Sequence, residues 1–150
     1  MKLLIFTACE KVIEDLTQGS SLISIFHGIK IQIPENQELP TNVVVPKDWA
    51  AFSKWELDQG EEGGEYTSRI QIIWPDGSEF ARHELPATQP TKDGMAFVHR
   101  LNGFPFGQNG RLLLLQSLLC DGEVIFGPVE FAIKVEVAKV LPPVSLEQLG

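Results

Sequence analysis

Two cysteines, three histidines and no C-x-x-C or H-x-x-x-H spacing leave this 150-residue chain without a local signature for a structural zinc site. Cys9 and Cys120 are too far apart in sequence for a disulfide to be deduced, so buried free thiols are expected. Basic charge is scarce as well: the formal net charge is −8, without the basic footprint that a nucleic-acid partner requires. No apolar run is long enough to span a membrane. Lys2 and the apolar residues up to Cys9 superficially resemble a lipoprotein signal. The run is shorter than the ~7–15 residues of an export signal, Phe6 fits poorly three places before the cysteine, and Glu10-Lys11 follow at once. A first strand and a cytoplasmic protein are expected instead.

Known catalytic frames are missing too. There is no G-x-S-x-G elbow and no phosphate-cradling Gly-rich loop before a helix. Glu79 and Glu84 have no informative spacing for glycoside hydrolysis. Glu56, Asp58, Glu61, Glu62 and Glu65 crowd a Gly-rich stretch that reads as a solvated loop rather than a cation site. No cofactor is expected.

What is present is alternation. Val129, Phe131, Ile133, Val135 and Val137 alternate with Glu130, Ala132, Lys134 and Glu136, the period-two pattern of a strand with one wet face. Leu112 to Cys120 precedes it, and the Asp121-Gly122 pair between them predicts a hairpin. That earlier strand is apolar on both parities, so something must cover its second face. Leu3 to Ile13 reads as a first strand, and Leu22 to Ile33 as a second with Ile23, Ile25, Ile29, Ile31 and Ile33 on one face, ended by Pro34. Ala50 to Leu57 reads as a strand despite its three-residue aromatic spacing. Tyr66, Ser68, Ile70, Ile72 and Trp74 share one parity before the Pro75-Asp76-Gly77 turn. Ser78 to His83 and Met95 to Leu101 follow, and Asn102-Gly103 could close a further turn.

About eight short strands and no long amphipathic helix predict an all-β chain: an antiparallel β-sandwich over residues 1–137, Ig-like or C2-like, with an irregular tail at 138–150. A closed barrel is the alternative. His27 reads as a core-edge histidine bonded to backbone, and His99 as part of a polar strand face.

Cys9-Glu10, Ser21 to Phe26, the Trp74 to Gly77 turn, Phe104 with Phe106, and Leu118 to Val124 together resemble a family of bacterial proteins known only as a domain of unknown function. The resemblance spans roughly residues 7 to 137. It implies a compact β-sandwich and carries no catalytic residues.

The function expected is a non-enzymatic binding or assembly module of a bacterial or phage-like system. It would act through an edge strand or end loops on a protein partner or a second copy. The candidate binding residues are Trp49, Phe52, Trp55, Phe104 and Phe106, with Trp49 the most exposed of the tryptophans. Two alternatives remain: a carbohydrate-binding domain using exposed aromatics, or a small hydrolase or metal enzyme joining His27, His99 and a carboxylate.

Overall fold

The period-two pattern produces strands nearly throughout. The computed structural model describes residues 1–15 and 19–141, and shows nine strands and no helix among them. The strands are β1 (Lys2–Asp15), β2 (Gly19–Ile25), β3 (Gly28–Pro34), β4 (Val44–Glu56), β5 (Tyr66–Ile73), β6 (Glu79–Glu84), β7 (Met95–Pro105), β8 (Gly110–Cys120) and β9 (Glu123–Val140). They form two sheets, of order β2-β1-β4-β7 and β3-β9-β8-β5-β6. The first is antiparallel throughout. In the second, β3 runs parallel to β9 (Gly28↔Lys134 to Pro34↔Val140), so the sheet is mixed and not purely antiparallel as expected.

The expected strand from Leu22 to Ile33 is two strands in different sheets. The chain leaves the first sheet at Ile25 and enters the second at Gly28. The Phe26 N–H donates to the Ala8 carbonyl, and the His27 carbonyl accepts from the Lys134 N–H, so each side of the crossover is tied to one sheet. The isoleucines divide accordingly. Ile29 and Ile31 pack against the main core and Ile33 is buried, whereas Ile23 and Ile25 are exposed.

The β8–β9 hairpin forms at the predicted place, with Asp121 (φ 52°) and Gly122 (φ 79°) both left-handed, as a two-residue turn demands. Ile133 and Val135 are buried while Glu130, Lys134 and Glu136 face water. On β8, Leu112, Leu114 and Leu118 are buried inward and Leu113 and Leu115 are half-buried outward. The register sets Leu115 between Gln71 and Glu130, and Ser117 beside Arg69, so the stems of these long side chains shield the second face. Asn102-Gly103 makes no turn; it lies within β7, where Gly103 (φ 95°) faces the register shift between Val45 and Asp48 of β4. Strand β9 continues beyond residue 137 to Val140, and residues 142–150 of the expected tail lie outside the described residues.

The main core joins Ala8, Trp49, Ala51, Ile70, Ile72, Phe104, Phe106, Leu112, Leu114, Ile133 and Val135 between the sheets. A second cluster gathers Trp55, Tyr66, Met95, Phe97 and Leu118. A third lies outside the sandwich: Cys9, Val12, Ala50 and Phe52, with Leu22 and Val98. Pairing of β1 with β4 stops at Cys9↔Ala50, and the distal half of the β1–β2 hairpin bends over the outer face of β4 and β7. Arg100 of β7 fastens this arm, donating to the Val12 carbonyl at 3.2 Å and pairing with Glu14 at 3.5 Å.

Candidate functional site

The five aromatic residues expected to bind are all buried, Trp49 to within 2 % of its surface. Trp49 donates its indole N–H to the Gly103 carbonyl at 2.9 Å and packs edge-on to Phe104 at 5.1 Å, so its polar atom is satisfied inside. Trp55 donates to Ser53 Oγ and meets Phe126 at right angles. Phe106 packs on Phe104, and Phe52 lies beneath the arm. The expected exposure of Trp49 is thus corrected, and no aromatic platform for sugar rings is assembled from these side chains.

The hydrolase reading needed His27, His99 and a carboxylate together. His27 is exposed in the crossover between sheets, which also corrects its expected place at the core edge. His99 is fully buried rather than on a polar face, with Ser68 and His83 as its partners. Among the described residues no group of three His, Cys, Asp or Glu side chains is placed to hold a metal ion. The separation of Ser68 Oγ and His99 Nε2, 2.8 Å, suits a nucleophile and its base. Both residues are sealed in the core, where no substrate reaches them.

His99 belongs to a polar chain that sequence reasoning missed. It runs from His83 on β6 through His99 on β7 and Ser68 on β5 to Gln116 on β8. Burial pushes the His99 imidazole from 6.5 down to about 3, with a smaller contribution from neighbouring His83. The signal was available in parity: His99 is in line with Met95 and Phe97, Ser68 with Tyr66 and Ile70, and Gln116 with Leu114 and Leu118.

Cys9 is buried in the third cluster, where desolvation raises its thiol pKa, and Cys120 packs on the second; both are free. On the acidic loop, Asp58 and Glu61 accept hydrogen bonds from the Met1 ammonium, the latter at 2.8 Å. That ammonium holds the Asp58 carboxyl below its ordinary range.

The surface offers two features. A cleft of about 440 Å³ opens where β1 leaves β4, lined by Glu10, Lys11, Asp48, Trp49, Arg100 and Asn102 among others. Two of its rim charges are engaged locally, Glu10 with Lys47 at 2.9 Å and Arg100 with Glu14 at 3.5 Å. The other feature is the free edge of the first sheet. Among the described residues β2 pairs only with β1, and its sequence GSSLISI contains no charge and no proline. The hairpin turns Val12 and Leu22 toward the sheet, leaving Ile13 (45 %), Ile23 (41 %) and Ile25 (59 %) exposed. The three other edge strands carry charge or proline. Strand β6 carries Glu79, Arg82 and Glu84, β3 carries Lys30 and ends in Pro34, and β7 carries Arg100 and ends in Pro105.

No helix of the described residues is long and apolar enough to cross a membrane. No family model matches the chain, and no curated protein matches it.

Proposed function

We propose that this chain is a non-enzymatic binding module that recruits an extended strand of a protein partner onto the free edge of β2. The observation that carries the reading is the contrast between edges: three bear charge or proline, and β2 bears neither while exposing Ile23 and Ile25. An uncharged edge with unpaired backbone groups is a template for strand addition, with main-chain hydrogen bonds giving affinity and alternate side chains giving selectivity. A second copy of the chain is one such partner.

An Ig-like sandwich is the finer architecture we propose. The order β9-β8-β5 with β6 beside β5 supports it, since it corresponds to the G-F-C sheet of variable-type domains extended by C′. Action in a bacterial cytoplasm, within the uncharacterised family named above, is part of the same proposal.

Sedimentation velocity over a concentration series, with fluorescence binding to a panel of uncharged β-prone peptides, checks the binding role. Association is expected in at least one assay, and Ile23→Lys with Ile25→Lys should weaken it at least about tenfold. A chain that stays monomeric and binds no peptide, or that associates equally well with both lysines in place, overturns the reading.

A further inference from the structure

The polar chain across the core turns one bare lone pair toward the seam between the sheets, and donor counting shows which. Gln116 Nε2 spends its two hydrogens on the Ser117 carbonyl at 2.8 Å and on Ser68 Oγ at 2.9 Å. Gln116 Oε1 has one donor among the described residues, the Ser68 hydroxyl at 3.2 Å, and no buried side-chain nitrogen or oxygen there lacks a partner. With its only hydrogen on Oε1, Ser68 Oγ accepts from His99 Nε2 at 2.8 Å. Burial favours the neutral ring, and a neutral His99 that donates through Nε2 keeps a lone pair on Nδ1. That nitrogen meets His83 Nδ1 at 2.8 Å, with the two rings inclined at 73°, and His83 supplies the hydrogen.

Two imidazole nitrogens that face each other are also the donor set of a linear metal site. A closed-shell monovalent ion such as Cu⁺ is satisfied by two neutral nitrogens in line, whereas Zn²⁺ takes four ligands. Among the described residues no third His, Cys, Asp or Glu completes such a group. A single charge also suits the place, since the cost of burying an ion grows with the square of its charge. Metal-bound histidines commonly donate their other N–H to a fixed partner, and Ser68, held in turn by Gln116, is that partner for His99.

We propose that His83 and His99 are the two ligands of a linear site for a soft monovalent cation, Cu⁺ or its mimic Ag⁺, held between their Nδ1 atoms, with Ser68 and Gln116 fixing the inner ring. The inference is independent of the strand-addition reading. Nitrogen–metal distances of about 2 Å set the two atoms about 4 Å apart, so the rings must part by roughly 1 Å. The fold permits it: β6 pairs with β5 and β7 with β4, in different sheets, and no ladder joins β6 to β7. His83 is half-buried on an edge strand, so turning its ring outward opens His99 Nδ1 to an ion. The exchange balances. His83 yields its Nδ1 proton to water and takes one from water on Nε2, while the hydrogens of His99, Ser68 and Gln116 stay in place. The site gains the single charge of the ion, and the metal is neither oxidised nor reduced. Both thiols lie elsewhere, Cys120 opposite Tyr66 and Cys9 in the cluster outside the sandwich.

Anaerobic titration of the full chain with Cu⁺, followed by X-ray absorption, tests this. One ion per chain is expected, with two nitrogen neighbours in line and no sulfur. Nitrogen-15 NMR with Ag⁺, which is diamagnetic, should shift Nδ1 of His83 and His99 together and leave exposed His27 unmoved. His83→Gln should weaken Cu⁺ binding at least about tenfold, since losing even an outer partner of a ligand costs that much. Cys9→Ala with Cys120→Ala should leave the affinity unchanged. Sulfur around the metal, a shift at His27 in place of the pair, undiminished binding in His83→Gln, or a native chain that takes up no Cu⁺ overturns the proposal.

Discussion

An imidazole held neutral between two sheets makes stability depend on acid. The unfolded chain binds a proton at His99 near 6.5, whereas the folded chain binds it only near 3, so the unfolded state gains protons first as pH falls. Stability should be complete above about pH 6.5 and fall toward pH 3 by up to about 1.4 kcal/mol per pH unit. Urea denaturation at several pH values reads this slope, and His99→Gln should flatten it between pH 6.5 and about 4.5. An unchanged slope in the variant would assign the acid sensitivity elsewhere. Ser24 offers a test of backbone strain, since its φ of 55° is left-handed in a non-glycine residue. Ser24→Gly should raise stability by about 0.5–1 kcal/mol, the gain remaining after the larger chain entropy of glycine is subtracted. Thermal denaturation measures it. At this scale the sequence was readable where side-chain chemistry agreed with parity, as at Ile70 and Ile133, both buried. It misled where the two disagreed: His99 has the parity of a core residue and the chemistry of a surface one. Trp49 misled in the opposite way, because the carbonyl that satisfies its indole belongs to Gly103, fifty-four positions away.

Strands were legible as elements because period two survives short turns, and the β8–β9 hairpin followed from one Asp-Gly pair. The change of sheet between β2 and β3 was hidden, since Ile23 to Ile33 keep one parity straight through it. Nothing in a one-dimensional pattern distinguishes a bend within a sheet from a transfer between sheets. The parallel pairing of β3 with β9 was hidden for the same reason. The arm over β4 and β7 was also unreadable, because its contact joins Val12 and Leu22 to Phe52 and Val98. That contact makes a prediction: Phe52→Ala should cost about 3–5 kcal/mol through lost burial and the cavity left behind. As the arm loosens, Cys9 should react faster with a thiol reagent, while Cys120 on another cluster keeps its rate. Equal acceleration at both thiols would mean global unfolding rather than release of the arm.

For the whole molecule, a net charge of −8 separates the partners that β2 could recruit. Two copies of this chain repel at long range, so added salt should strengthen self-association. A basic partner would be attracted, and salt should weaken its binding. Sedimentation at about 0.05 and about 0.5 M salt gives the sign. The alignment of β3 along β9 also bears on the order in which the molecule is made. Gly28 meets Lys134 and Pro34 meets Val140, so a strand near the start of the chain is completed by one near its end. During synthesis, β3 is translated long before its neighbour exists. The pairing of β3 therefore waits until β9 has been made, and until then the side of Ile29 and Ile31 that packs against the main core lacks that neighbouring strand.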